Sequence, residues 1–305
     1  MRILITGSNG LLGQKIVAAL RNDASIELIA TSRGPDRTPE TLAARYHSMD
    51  IAVEAEVNAV FAATRPEVVI HTAAMTNVDA CELDPTACRL QNVTATEYLL
   101  NAAKRHDSHF IFLSTDFIFD GLNGPYREDD EPAPLSIYGH SKLDGERLVM
   151  GAGLVKWAIA RTIIVYGVAQ GLSRSNVVLW AKSALEKGQP IKVVDDQWRM
   201  PTLAEDLADG CIRIAEQGAT GIYNLSGPDG MSILELVERV GAFFSLDTSV
   251  ISPVKSDSLG QPARRPPHTG FVLDKARREL GYAPRGFEEG LVVLRDQLAT
   301  PTVTG

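Results

Sequence analysis

The sequence predicts an α/β protein built on a doubly wound parallel sheet, with a second, smaller α/β lobe after it. Short apolar, β-branched runs at residues 2–6, 27–31, 67–71, 109–114 and 157–162 alternate with stretches of helical spacing at 11–20, 52–64 and 92–105. Each run is apolar nearly throughout, as in strands covered on both faces of a parallel sheet. The first run leads directly into Gly7-Ser8-Asn9-Gly10-Leu11-Leu12-Gly13, a glycine turn that opens a helix. Parallel strands need crossover connections, and their right-handed sense makes double winding the default.

The pattern loosens after about residue 167. Helical spacing appears at 176–187, 203–215, 233–244 and 288–298, and strand-like runs at 191–194 and 221–225. Residues 252–268 are rich in proline, serine and basic side chains and read as loops. The expected division is a dinucleotide-binding domain over 1–167 and a mainly substrate-binding lobe over 168–305, some of whose elements return to the first domain.

Length and charge exclude several classes. The 305 residues are 45% hydrophobic and 22% charged, enough for a substantial core. A net charge of −8 suits neither nucleic acid nor an anionic membrane surface, which want clustered Lys and Arg. Cys81, Cys88 and Cys211 match no disulfide framework and no zinc spacing. Cys81 and Cys88 stand seven apart in a stretch that reads helical, as two reduced thiols on one helix face. The acidic run Glu128-Asp129-Asp130-Glu131 reads as a solvated loop, and no metal is expected. No secretion signal and no membrane-spanning run is evident, so the expected compartment is the cytoplasm.

Gly7, Gly10 and Gly13 let the backbone turn sharply beside a pyrophosphate, whose charge meets the free N–H groups and positive end of the helix. Its place between a strand and a helix gives this turn the context of a Rossmann-type dinucleotide site, contributed by Gly7, Asn9, Gly10, Leu11, Leu12 and Gly13. A carboxylate about 20 residues past the glycines commonly holds a ribose 2′-hydroxyl. Here that place holds Ser32-Arg33, which suits a 2′-phosphate, so the cofactor expected is NADPH, with NADH as the alternative. Asp50 and Ile51 are expected at the adenine edge. Ala73 and Ala74 are small enough for the cofactor to lie over the strand end.

Tyr138-Gly139-His140-Ser141-Lys142 places a phenol and an ammonium on one helix face. The ammonium is expected to lower the phenol's pKa towards the working range of an acid–base catalyst. Upstream, Ser114-Thr115-Asp116 ends a strand, where ligand sites of open parallel sheets gather. His140 points away from the shared face and reads as a surface histidine. Trp180 reads as core filling or a domain contact.

With these segments the chain resembles the dTDP-4-dehydrorhamnose reductase family of extended short-chain dehydrogenases/reductases. The resemblance runs through the glycine turn, His71-Thr72-Ala73-Ala74-Met75-Thr76-Asn77-Val78-Asp79, Asn92-Val93 and Ser114-Thr115-Asp116-Phe117. It continues through Tyr138 to Lys142, Arg161-Thr162, Val165-Tyr166-Gly167, Asp196-Gln197 and Pro201-Thr202. It implies catalytic roles for Thr115, Tyr138 and Lys142, with Ser114 in support and Asn92 ordering the lysine's surroundings. Tyr138, Lys142 and Asn92 would also contact the cofactor. Thr76, Thr115, Asp116, Asn176 and Arg265 would face a nucleotide-sugar substrate, reduced at its C4 ketone. A homodimer is the protein partner allowed.

The chain departs from the family pattern at Phe117 for tyrosine, Ile164 for tryptophan and Arg199 for glycine, all in or beside the substrate half. A 4,6-dehydratase is disfavoured because Phe117 stands where its acidic pair would begin. A 4-epimerase, or a non-catalytic NADP-binding subunit like that of methionine adenosyltransferase, are the alternatives.

Overall fold

The structure, a computed structural model, describes residues 1–37, 45–172 and 175–299; positions 173–174 and 300–305 of the expected lobe lie outside them. The first half is β1 (Arg2–Thr6), α1 (Leu11–Leu20), β2 (Glu27–Ser32), β3 (Arg45–Ser48), α2 (Glu54–Thr64) and β4 (Val68–His71). It continues with α3 (Val78–Leu83), α4 (Pro85–Arg89), α5 (Ala95–Arg105), β5 (His109–Thr115), α6 (Ile137–Gly151) and β6 (Trp157–Thr162). Then come β7 (Val165–Tyr166), α7 (Val177–Glu186), β8 (Ile191–Val194), β9 (Trp198–Arg199), β10 (Thr202–Leu203) and α8 (Ala204–Gln217). The chain closes with β11 (Gly221–Asn224), β12 (Met231–Ser232), α9 (Ile233–Phe243), β13 (Ile251–Val254), α10 (Asp274–Leu280) and α11 (Phe287–Ala299).

Seven strands form one parallel sheet in the order β11-β6-β5-β4-β1-β2-β3, the doubly wound fold expected. Its central strands β4 and β5 are buried along their whole length, which explains their unbroken apolar character. One face packs Ile3, Ile5 and Ile70 against α1 and α8 residues such as Ile16 and Leu207; the other packs Leu4, Val69 and Phe112 with Val57, Leu99 and Val149. The edge strand β11 comes from beyond residue 167, so the chain returns to the first sheet after building part of the lobe. The lobe has its own core, in which Tyr166, Val178, Leu185, Val193, Leu236 and Phe287 meet.

Four local expectations are corrected. Residues 251–254 are not loop but β13, parallel to β8, where Pro253 is tolerated because the strand lies at an edge. The stretch holding Cys81 and Cys88 is two short helices, broken where Asp84 caps the second through Ala87 N (2.9 Å) and Pro85 begins it. The helix expected from residue 92 is preceded by a π-helical turn, Leu90–Thr94, a form often found at functional sites. Trp180 is 40% exposed rather than in the core. Among the described residues no helix is long and apolar enough to cross a membrane.

A buried ion pair fastens α6 to the sheet. Arg161 donates to both oxygens of Glu146, at 3.0 and 2.7 Å, and to the Glu128 carbonyl at 2.9 Å, with both side chains almost fully enclosed. Removing one member leaves the other charge buried without compensation. Arg161→Met is therefore expected to destabilise the fold by about 3–5 kcal/mol in denaturant unfolding. A loss below about 1 kcal/mol contradicts this.

Candidate active site

The glycine turn leaves β1 at Gly7, whose φ of +74° is open to glycine at little expense. A Cβ at Gly7 would come 2.9 Å from Ala73 N, and one at Gly13 would come 2.2 Å from the Gly7 carbonyl, so both positions must lack a side chain. Helix α1 then starts at Leu11 and Leu12, with Gly10 offering no side-chain cap and no acid in the first turn. Its first N–H groups and dipole are thus left for an anion. Asn9 is engaged within the protein. Its side chain accepts from Arg37 N (2.9 Å) and donates to the Pro35 carbonyl (2.9 Å), tying the turn to the segment after β2.

At that segment Ser32 is half-buried, while the Arg33 side chain is 76% exposed and 3.8 Å from the Asp50 carboxylate. Asp50 is otherwise engaged in the loop before α2, accepting from Ala52 N (2.9 Å), and Ile51 is buried. Arg37 is a second cation here that the spacing from the glycines does not single out. It donates to the Gly171 carbonyl at 3.0 Å.

Beneath Ala73 and Ala74 a hydrogen-bond chain joins three elements. Thr96 donates its one proton to the Asn92 carbonyl (2.8 Å), so it accepts from His71 Nε2 at 3.2 Å. His71 Nδ1 therefore accepts from Thr6 Oγ1 (2.8 Å), beside the glycine turn. Burial, aided by the Lys142 charge, holds the His71 pKa down at about 3, so the ring is neutral. Asn92 sits in the π-helical turn. It accepts from Met75 N (2.8 Å) and donates to the Met75 carbonyl (3.1 Å) and Ser141 Oγ (2.9 Å). Ser141 in turn donates to the Tyr138 carbonyl at 2.7 Å, so the loop after β4 is pinned to the helix bearing the Tyr/Lys pair.

Helix α6 starts under a Ser136 cap, with Gly139 N donating to Ser136 Oγ at 3.2 Å. Tyr138 and Lys142 are both buried, 8% and 4% exposed, although one is polar and the other carries a charge. The phenol ring meets Phe117 edge-on at 5.7 Å, with Cys81 and Cys88 packed beside it, and Lys142 Nζ stands 4.0 Å from the centre of the Phe112 ring. Burial drives the Tyr138 pKa above its ordinary value; the Thr115 hydrogen bond opposes this and the Asp116 charge adds to it. Burial also drives Lys142 down to about 7, against Glu146 and Cys88, which raise it. This corrects the expectation that the ammonium lowers the phenol: burial raises it instead, and the tyrosine is held protonated.

Thr115 donates to Asp116 Oδ1 (3.1 Å) and accepts from Phe117 N (3.3 Å). The Ser114 hydroxyl is buried with no hydrogen-bond partner among the described residues, a free donor at the end of β5. The glycine cradle, the uncapped helix and this orphan hydroxyl fit a dinucleotide, with phosphates at one end and a polar ring at the other.

The residues expected at the substrate are less uniform. Thr76 is exposed. Asp116 is 2% exposed and bonded internally, Oδ2 taking the Thr269 hydroxyl at 2.5 Å and lying 3.6 Å from Arg199 Nε. Asn176 caps α7, accepting from Leu179 N (3.1 Å) and donating to the Gly167 carbonyl (2.7 Å). Arg265 makes a two-pronged pair with Asp79, at 2.7 and 3.1 Å, which fastens the late loop to the start of α3. His140 is exposed, as its helical position predicts. Ile164, at the position of the family's tryptophan, has a φ of +31°, a conformation rare for a β-branched residue.

Comparison with known proteins sets this geometry in a family. The chain is 32% identical over 272 residues to methionine adenosyltransferase 2 subunit beta of Xenopus laevis, covering 86% of this chain and 78% of that one. It is 30% identical to the dTDP-4-dehydrorhamnose reductase of Aggregatibacter actinomycetemcomitans, over 96% and 98% of the two chains. The solved structure of a dTDP-4-dehydrorhamnose reductase from Bacillus anthracis in complex with NADP superposes with a TM-score of 0.83 at 26% identity, covering 97% and 99%. Residues 1–301 match the family described as the RmlD substrate binding domain, and the chain belongs to that family.

Proposed function

We propose that the protein is an NADPH-dependent reductase acting on the 4-keto group of a nucleotide-linked deoxysugar. The observation that carries this reading is a buried Tyr138 one helical turn from a buried Lys142, at the carboxyl end of a strand two places from the one bearing the glycine turn. The reductase relatives and the NADP complex of the B. anthracis protein support the same assignment.

The residues divide the work as follows. Gly7, Gly10, Gly13 and the N-terminus of α1 hold the pyrophosphate, and Ser32, Arg33 and Arg37 attract the 2′-phosphate. Lys142 bonds the nicotinamide ribose. When bound, the cofactor supplies the hydride. Tyr138 gives its proton to the C4 oxygen as negative charge gathers there, and Ser114 donates to the same region. Thr115 holds the phenol in place.

The methionine adenosyltransferase relatives favour a second reading, a regulatory subunit that binds NADP without turnover. Assay of NADPH oxidation over a panel of 4-keto sugar nucleotides separates the two. The reductase reading expects turnover; no turnover together with tight binding to a methionine adenosyltransferase supports the other.

Three outcomes are expected. Tyr138→Phe lowers kcat by about 10²–10⁴-fold and leaves the NADPH dissociation constant within about threefold, and near-normal turnover contradicts the acid's role. Replacing Arg33 and Arg37 by alanine weakens NADPH roughly tenfold or more while NADH is little changed; an equal effect on both contradicts the 2′-phosphate assignment. The third concerns Lys142. Its folded pKa of about 7 lies below the ordinary lysine value, so between pH 7 and the ordinary value the unfolded chain binds the extra proton. Stability of the unliganded protein therefore gains a rising contribution above pH 7, and Lys142→Met lacks it. Equal pH slopes for both proteins in urea unfolding between pH 7 and 9 contradict the buried-lysine assignment.

A further inference from the structure

Arg199 stands where the family pattern has glycine, and it is the largest of the fully buried side chains. Its Nη2 donates to the Pro266 carbonyl at 2.7 Å, and its Nη1 to the Trp198 and Pro267 carbonyls at 2.7 and 3.4 Å. Those carbonyls are neutral, and a buried charge is expensive unless an opposite charge meets it. The carboxylate that meets it is Asp116, 3.6 Å from Nε.

Asp116 in turn holds two hydroxyls, one of them Thr115 at the end of β5. Its Oδ1 takes the proton of Thr115 (3.1 Å), and its Oδ2 takes that of Thr269. The single hydroxyl proton of Thr115 is thereby committed, and its oxygen accepts from Phe117 N at 3.3 Å, beside the Tyr138 phenol. The groups facing Asp116 are Arg199 from β9, Thr269 from the late loop, Thr115 from its own strand end and Tyr138 from α6; Arg265 acts on Arg199 from the same late loop.

We propose that Arg199 is a positioning residue for the threonine beside the proton donor: its guanidinium holds Asp116 as a carboxylate, which fixes the direction of the Thr115 hydroxyl at the end of β5. This rests on the reductase reading above. A residue that merely pegs the late loop would not act through Thr115, and that difference is measurable.

The test combines kinetics with an observation independent of turnover. Arg199→Gln is made in the wild-type and Thr115→Val backgrounds and assayed for NADPH oxidation with a 4-keto sugar nucleotide. The Asp116 carboxyl is followed at pH 7 by carbon-13 NMR of aspartate-labelled protein, assigned with Asp116→Asn. The expected result is a roughly tenfold fall in kcat with NADPH affinity unchanged, no further fall in the Thr115→Val background, and an Asp116 resonance moved to the protonated position. A full tenfold fall in the Thr115→Val background, or an Asp116 resonance that does not move, overturns the proposal. Should Arg199→Gln fail to fold, Arg199→Lys keeps the charge while losing the fork of carbonyl bonds. An ionised Asp116 in that variant supports the proposal and a protonated one overturns it. A wild-type protein that turns over no 4-keto sugar nucleotide contradicts the reductase reading, and the Asp116 resonance still decides whether Arg199 sets its charge.

Discussion

The close seating of α6 against the end of β5 is the constraint on which the site depends. Two glycines make it possible. A Cβ at Gly139 would come 2.3 Å from the Phe117 carbonyl oxygen, and one at Gly145 would come 2.5 Å from the Phe112 ring. Without side chains there, the helix lies directly on the strand, and Tyr138 and Lys142 are removed from water. That burial, more than their mutual charge, sets their protonation: the phenol keeps its proton and the amine is brought near neutrality. The Glu146–Arg161 pair at the next turn secures the same helix, so fold stability and the burial of the Tyr/Lys pair share one interface.

The polar chains around this interface divide into two sets. One runs from Thr6 through His71 and Thr96 to Asn92 and Ser141, joining the glycine turn to the helix of Tyr138 and Lys142 through a neutral imidazole. The other runs from Thr115, beside Tyr138, through Asp116 to Arg199 and the late loop. The first lies on the side of the glycine turn and the second on the side of the late loop, and they flank Tyr138 on α6. Arg265 and Asp79 add a third tie, from the late loop to the start of α3.

The sequence shows features whose signal is local and hides those that depend on distant partners. The buried strands were legible because β4 and β5 are apolar without interruption, and the Tyr/Lys pair because four residues is one helical turn. Strand β3, Arg-Tyr-His-Ser at the sheet edge, carries no apolar run to find. Strand β13 contains a proline and reads as loop. Asn176 looks available for a ligand, but the register of α7 makes it a cap. Arg265 looks like a free phosphate ligand until Asp79, 186 residues away, is seen beside it. The expected direction of the Tyr138 shift was wrong for the same kind of reason: a Tyr-x-x-x-Lys pattern gives the neighbour's charge and says nothing of desolvation. His71 stood within a segment of family resemblance with no role attached to it, and Arg37 lacked any pattern that marks it.

The most direct measurement is a structure of the complex with NADPH. The account expects a ribose hydroxyl of the nicotinamide half within hydrogen-bond distance of Lys142 Nζ, and the Tyr138 hydroxyl turned towards the carbon that gives up the hydride. A nicotinamide bound elsewhere, with the phenol directed away from it, would contradict the account.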